Sequence, residues 1–366
     1  MRILIFNWRD VKHPKVGGAE LFIHEIAKRL VRYGYEVSLF SSAFPGSFEK
    51  ETIDGIKIIR AGNKYTVYWQ AFHHYRKYFR GNYDVIIDAI NTLPFFTPLF
   101  VKEHKIALIF QLTSKIYFKE LPKFLAIFPY LLEPALFQIY RKVPVLVLSE
   151  SVRQELVNIG FSSDNITLVP PGIEHSAFEA GKKTNFPSIV YLNRLVKYKN
   201  VDDLINAIYI LRKEIPDIRL FIGGCRGGKY ETYLRKLVKK LDLGKEVEFY
   251  CFLNEEDKKK MLRGAWIHVL PSMKEGWGIS ILEAAACGTL TIGYNVSGLR
   301  DSVRNGETGF LVPYGEIGDL AKAIKEVLLD TSLRERLSTN SIKYTREFSW
   351  DKSAQKIGKI IEELLV

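Results

Sequence analysis

Cysteine is scarce in this chain. Cys225, Cys251 and Cys287 are three in 366 residues, an odd number with no CxxC spacing. That argues against a disulfide framework or a zinc cluster and fits a reducing compartment. The seven histidines, including the pair His73-His74, form no HExxH metal signature. Long apolar runs are missing too. The greasiest stretch, 124–140, is broken by Pro129, Glu133 and Pro134, where a membrane-spanning helix needs about 20 mostly apolar residues. Residues 1–6 are too short for the apolar core of a signal peptide and read as a first β-strand. There is no low-complexity tract.

Acidic charge is also in deficit. Lys+Arg number 53 and Asp+Glu 41, a formal net charge of +12. Residues 1–170 hold 22 basic and 15 acidic side chains, a surplus of 7; residues 171–366 hold 31 and 26, a surplus of 5. Such a balance speaks to partners (nucleic acid, an anionic membrane, phosphorylated ligands) and not to fold. With 47% hydrophobic and 26% charged residues, the composition is that of a folded protein. The length predicts two domains.

Short apolar runs alternate with helical patterns. Strands are expected at 2–6, 36–41, 85–88, 106–110, 145–148, 166–169, 188–192, 219–222, 247–251, 266–270, 290–294 and 309–312. Helices are expected between many of them, as at 19–33 closed by Gly34, 201–214 closed by Pro216, and 231–241. This alternation predicts parallel sheets flanked by helices. The natural break is Val169-Pro170-Pro171-Gly172 and the polar stretch to Lys183. Two doubly wound α/β domains are therefore expected, 1–170 and 171–348. An amphipathic helix over 349–366, with Ser349 as N-cap, closes the chain and must dock on one of them.

Three segments carry chemistry. The first is Glu275-Gly276-Trp277-Gly278-Ile279-Ser280-Ile281-Leu282-Glu283, between a strand and a helix. Backbone N–H groups at a helix start suit a phosphate or sugar oxygen, and Gly276 and Gly278 permit close backbone approach. A carboxylate deeper in the helix can accept two hydroxyls of one ribose. The bland alternative makes both glutamates ordinary surface acids. The second is Asn193-Arg194-Leu195-Val196-Lys197-Tyr198-Lys199-Asn200, after the strand 188–192. Arg194 and Lys199 could neutralise a diphosphate at a strand end, or form a solvated basic loop. The third is Gly17-Gly18 ahead of the first helix, either an anion-facing helix start or a plain turn. It matches neither the dinucleotide fingerprint nor the P-loop.

Together, and in this order, these segments resemble retaining glycosyltransferases of family 4, with the GT-B fold. The resemblance runs from Gly17-Gly18 to the terminal helix. It includes Ser297-Gly298-Leu299-Arg300-Asp301, Asn305-Gly306-Glu307-Thr308-Gly309 and the link Pro170-Pro171-Gly172-Ile173-Glu174. It implies two facing Rossmann-like domains: a C-terminal one for the nucleotide-sugar donor (UDP-, GDP- or another) and an N-terminal one for the acceptor. Arg194 and Lys199 would pair with the diphosphate and Glu283 with the ribose. Glu275 and the amides of Gly276, Trp277 and Gly278 would take the donor sugar, and those of Ile279 and Ser280 the phosphate. Gly17 and Gly18 would approach the diphosphate on closure. Neither a cofactor nor a metal is implied, and no Asp-x-Asp handle is present.

The family usually carries a His just after the strand 106–110, where this chain reads Phe110-Gln111. Gln111 could supply a hydrogen bond to the sugar, but its amide cannot titrate. A non-catalytic sugar-nucleotide binder on the same fold is therefore the alternative.

The region 64–80 has four Lys/Arg, seven Tyr/Trp/Phe and no acid. Lys115, Lys119, Lys123, Arg141 and Lys142 surround a second apolar run. Such interleaving suits a membrane interface, unless the aromatics pack the domain's own core. The expected location is cytoplasmic, with peripheral contact to an anionic leaflet and a glycan or lipid-linked acceptor. With no RNA- or DNA-binding motif, no nucleic-acid partner is expected.

Overall fold

A computed structural model describes residues 1–365; Val366, the last residue of the expected closing helix, lies outside the described residues. The chain divides into two compact units. One comprises Met1–Lys115, Phe124–Gly172 and the segment from Ser349; the other comprises Ile116–Lys123 and Ile173–Phe348.

The first unit begins β1 (Arg2–Phe6), α1 (Gly18–Arg32), β2 (Glu36–Ser41), β3 (Lys50–Ile53) and β4 (Ile56–Arg60). It continues through α2 (Val67–His74), one π-helical stretch at Tyr75–Phe79, β5 (Val85–Ile90) and β6 (His104–Ile109). After the short α3 (Ile116–Glu120), which groups with the second unit, come α4 (Lys123–Phe137), β7 (Val145–Val147), α5 (Glu150–Asn158) and β8 (Ile166–Leu168). The sheet order is β3-β4-β2-β1-β5-β6-β7-β8, with only β3 antiparallel. Strands such as β1 and β5 are buried almost throughout, which explains why their sequences are mostly apolar, with the buried Asp88 the exception in β5.

The hairpin β3–β4 is not among the expected strands. Its turn is Asp54-Gly55, with φ of 49° and 82°. Two left-handed residues are what a tight two-residue hairpin needs, and Asp-Gly supplies them. The flanking strands are short and largely polar on β3, so their apolar signal is weak.

The second unit runs β9 (Ser188–Leu192), α6 (Val201–Leu211), β10 (Arg219–Cys225), α7 (Lys229–Lys240), β11 (Val247–Cys251) and α8 (Glu255–Gly264). It continues β12 (Ile267–Leu270), α9 (Ile279–Ala286), β13 (Leu290–Tyr294), α10 (Leu299–Ser302), β14 (Gly309–Val312), α11 (Ile317–Leu329) and α12 (Thr331–Thr345). All six strands are parallel, in the order β11-β10-β9-β12-β13-β14. The helix expected over 201–214 stops at Leu211, ahead of Pro216, the strand expected at 219–222 runs on to Cys225, and the closing helix ends at Glu363; the other expected ends move by at most two residues.

The final helix, α13 (Trp350–Glu363), belongs to the first unit. Ser349 caps it by accepting from the Asp351 amide. Its apolar stripe, Trp350, Ala354, Ile357 and Ile361, is buried. Trp350 meets Phe22 of α1 edge-on at 5.8 Å, and the buried Arg29 donates to Asp351 at 2.9 Å. Ser353 donates to the Pro170 carbonyl at 2.6 Å.

Candidate functional site

In the second unit the chain winds outward one way from β9 through β10 to β11, then returns to β12 and winds the other way. The reversal lies between β9 and β12. In open parallel sheets, ligands bind beyond the carboxyl ends of the strands at such a point. The two loops leaving those strand ends are the ones that hold Arg194, Lys199 and Glu275.

Both loops are tied to each other. Asn200, in a left-handed conformation (φ 46°), donates its amide to the Pro271 carbonyl at 3.0 Å, and the Met273 amide donates to the Tyr198 carbonyl at 2.8 Å. Lys199 and Glu275 are both buried, and the Lys199 ammonium donates to Glu275 Oε1. The Ser272 hydroxyl donates to the same oxygen at 2.7 Å. An ammonium has three donors, so Lys199 can hold Glu275 and still face an anion. Arg194 is half-buried, with its guanidinium 3.4 Å from the Tyr198 hydroxyl. Below it, burial and then the Glu275 charge push the Tyr191 phenol well above its usual pKa.

A third loop, after β13, completes the set. The Glu275 amide donates to the Ser297 carbonyl at 3.1 Å. Gly298 lies so close that a Cβ there would stand 2.2 Å from the Glu275 carbonyl oxygen, and its φ is +81°. Only glycine fits without displacement.

Gly278, at φ +96°, is the N-cap of α9, which leaves the first amides of the helix directed out of its end. One and a half turns further in lies Glu283, buried, with Oε1 accepting from Lys258 of α8 at 2.9 Å. Burial works against the Lys258 ammonium, but Glu283 and Glu255 overcome it and hold its pKa above the usual lysine value. The site therefore pairs each acid with a lysine, and one acid stands on either side of the helix start.

Around this loop three buried polar atoms have no hydrogen-bond partner: Trp277 Nε1, Ser280 Oγ and Ser297 Oγ. Buried polar groups are nearly always satisfied, so a cluster of orphans fits a site that a polar ligand completes. Glu275, Gly276, Trp277, Gly278, Ile279, Ser280 and Glu283 are thus brought together with Arg194 and Lys199 on one edge of one sheet. Lys258 was not anticipated: its run Glu255-Glu256-Asp257-Lys258-Lys259-Lys260 reads as a solvated face, and nothing local marks its partner 25 residues away.

The remaining candidates lie in the first unit. Gly17 is the N-cap of α1, and its amide donates to Glu20 of the same helix at 2.8 Å. A carboxylate thus already answers one of the free amides there. Gln111 follows β6, half-buried, behind the buried Phe110.

The basic aromatic regions split. Val67, Ala71, Tyr75 and Phe79 pack into the first unit's core, whereas Tyr65, Trp69 and Tyr78 are exposed. On α4 only Ala126, Glu133 and Phe137 are buried, and Phe124 and Phe128 are 75% and 71% exposed. Glu133 is occupied by the Thr113 and Ser114 amides, both at 2.7 Å. No helix among the described residues is long and apolar enough to cross a membrane.

Residues 173–344 match the family model for glycosyl transferases group 1, and residues 16–177 match that for glycosyltransferase family 4. Among curated proteins, the D-inositol 3-phosphate glycosyltransferase of Actinosynnema mirum is 27% identical over 239 residues, 60% of this chain and 57% of that protein. Its counterpart in Corynebacterium jeikeium is 29% identical over 217 residues, 54% of this chain and 52% of that protein. The chain spans little more than half the length of these curated relatives. Among solved structures, sucrose-phosphate synthase from Thermosynechococcus elongatus has a TM-score of 0.83 at 21% identity, covering 99% of this chain and 98% of its own. The Anabaena protein HepE, in complex with UDP-glucose, has a TM-score of 0.79 at 18% identity, with 99% and 100% covered. At such identities the likeness is one of fold. The chain belongs to the group 1 glycosyl transferases, family 4, and has two Rossmann-like parallel sheets of the GT-B type.

Proposed function

We propose that the protein is a retaining glycosyltransferase that moves a sugar from a nucleotide-diphosphate sugar to a glycan or lipid-linked acceptor. The observation that carries this reading is the pair of lysine-clamped acids, Glu275 and Glu283, flanking the start of α9 among unpaired buried donors. Glu283 accepts the two ribose hydroxyls. Arg194 and the free donors of Lys199 meet the diphosphate, with the Ile279 and Ser280 amides on phosphate. Glu275 and the amides of Gly276, Trp277 and Gly278 orient the donor sugar. Gly17 and Gly18 offer a second helix start to an anion, and Gln111 a hydrogen bond to sugar. HepE, which shares the fold, is known with UDP-glucose, so a uridine diphosphate sugar is the first donor to test, ahead of GDP- and other nucleotide sugars.

In this mechanism the acceptor oxygen bonds to the anomeric carbon on the face from which the diphosphate leaves. The acceptor proton passes to the departing phosphate oxygen. Arg194 and Lys199 stabilise the charge that develops there, which is electrostatic preorganisation. On this reading the two cations supply the positive charge in place of a metal ion, and chelation should leave transfer intact. The acceptor is reached from a cytoplasmic membrane face, where α4 and the exposed aromatics meet anionic lipid. No cofactor or nucleic acid takes part.

Incubation with a panel of nucleotide sugars, following free nucleoside diphosphate by mass spectrometry and product anomers by NMR, tests the reading. Release of diphosphate with retained configuration supports it. Donor binding without release would instead identify a non-catalytic binder, the reading that Gln111 in place of the family His favours.

A further inference from the structure

The outer edge of the second unit's sheet holds a pair of thiols that the donor reading does not use. Cys225 ends β10 and Cys251 ends β11. The strands are parallel neighbours, with Gly223 opposite Tyr250 and then Cys225 opposite Cys251, so that Gly224 (φ +100°) is left over. That extra residue decides the geometry. Side chains alternate faces along a strand, so an unbroken register would set Gly224 opposite Cys251 and turn Cys225 to the other face. With the irregularity, both thiols share a face. Adjacent strands lie about 4.8 Å apart, inside the roughly 4.4–6.8 Å between Cα atoms that a disulfide accepts. The two sulfurs and a Glu231 carboxylate oxygen lie within 4.8 Å of one another.

The surroundings favour thiol exchange over metal binding. Glu231 is already committed: Oε2 accepts from the Arg226 and Gly227 amides at 3.1 and 2.9 Å, and Oε1 from Arg235 Nε and Nη2, each at 3.0 Å. Arg235 Nη2 also lies 3.4 Å from Cys251 Sγ and 3.9 Å from Cys225 Sγ. A bound divalent ion would have this guanidinium as its neighbour. Exchange, by contrast, develops negative charge on sulfur, and Arg235 faces both sulfurs. The two thiols differ in access. Cys251 is exposed, whereas Cys225 is fully buried, and burial pushes its thiol up to about 12.

We propose that Cys225 and Cys251 form a reversible disulfide when the protein meets a low-molecular-weight disulfide. Cys251 Sγ, having given its proton to solvent, attacks one sulfur of that disulfide, and the other sulfur leaves as a thiol after taking up a proton. Cys225 Sγ then loses its proton and attacks Cys251 Sγ, expelling the second small thiol. Two protein thiols and one small disulfide become one protein disulfide and two small thiols, so the small disulfide is the oxidant. The new bond joins the ends of β10 and β11 just before the segment 252–254 that leads into α8, the helix carrying Lys258.

The test equilibrates the whole protein with oxidised glutathione, quenches with acid, and reads intact mass and linked peptides. The expected product is about 2 Da lighter than the reduced protein, links Cys225 to Cys251, and reverts with dithiothreitol. Cys225→Ser should instead trap a glutathione adduct on Cys251, Cys251→Ser should give neither, and Cys287→Ser should behave as the parent. A stable glutathione adduct on the parent protein, three thiols still free for alkylation after unfolding, or one equivalent of zinc protecting both thiols would each overturn the proposal.

Discussion

Gly298 sits against the carbonyl of Glu275, with room for a hydrogen and none for a methyl group. The loop after β13 thereby fixes the backbone of the loop after β12. Gly298→Ala would meet both the close oxygen and a left-handed φ, which costs about 1–3 kcal/mol by itself. We expect a lowered thermal midpoint and a larger loss of donor affinity than that destabilisation implies, because Glu275 is displaced. Calorimetric titration with donor beside thermal unfolding separates the two effects.

Lys199 and Glu275 are a buried pair, so removing one partner leaves a stranded charge. Lys199→Met should destabilise the second unit by about 3–5 kcal/mol. The double change Lys199→Met with Glu275→Leu should recover most of that stability, since an apolar pair of similar volume is tolerated. It should recover none of the transfer activity. Denaturant unfolding and a turnover assay on the three proteins check this. A double variant that turned over normally would remove both residues from the mechanism.

Glu283→Gln keeps the shape of the side chain and removes the negative charge that faces Lys258 at 2.9 Å. Nucleoside diphosphate binding should weaken at least ten-fold, about 1.4 kcal/mol. A thermal-shift titration reads this directly, because a ligand that binds only the folded state raises its apparent stability. Unchanged binding would take the ribose role away from Glu283.

His268 is fully buried in β12 with Nε2 unpaired, and burial lowers its pKa from 6.5 to about 3. Its contribution is fully present above pH 6.5. Below that the unfolded chain takes up a proton that the folded chain refuses. Stability therefore falls toward pH 3, with a slope approaching 1.4 kcal/mol per pH unit, on the order of a single site. His268→Asn should flatten the decline between pH 6.5 and 5 and leave the slope above pH 7.5 unaltered. Urea midpoints across this range measure it.

Phe124, Phe128 and Leu131 are exposed on α4, within a helix whose flanking cations include Lys123 and Arg141. Changing all three to Ser should leave the fold intact and sharply reduce sedimentation with anionic liposomes. Binding of the parent protein should weaken as salt rises, because the lipid attraction is screened. If the parent protein ignored anionic liposomes at low salt, membrane contact through α4 would be excluded.

Most of the second unit was legible because its central strands β9, β12 and β13 are buried throughout, which makes their sequences stand out as apolar runs between helical patterns. The charged loops at β9 and β12 were legible for a different reason: they follow strand ends, where parallel sheets place ligands. The hairpin at Asp54-Gly55 escaped because β3 carries little apolar signal, although its turn dipeptide was in plain view. Lys258 escaped because a lysine in a charge run looks the same whether it meets solvent or Glu283. The irregularity at Gly224 escaped because register is a property of two strands, and neither sequence alone contains it.

The closing helix α13 is part of the first unit, yet it is translated after the whole of the second. While the ribosome works through residues 173–348, α1 lacks the cover that α13 gives Phe22 and Arg29. The unit synthesised first therefore finishes last, and the core of β9 to β14 can consolidate while its predecessor is still open. A nascent chain stalled near residue 340 should accordingly expose protease sites in its amino-terminal half, the reverse of the usual vectorial order.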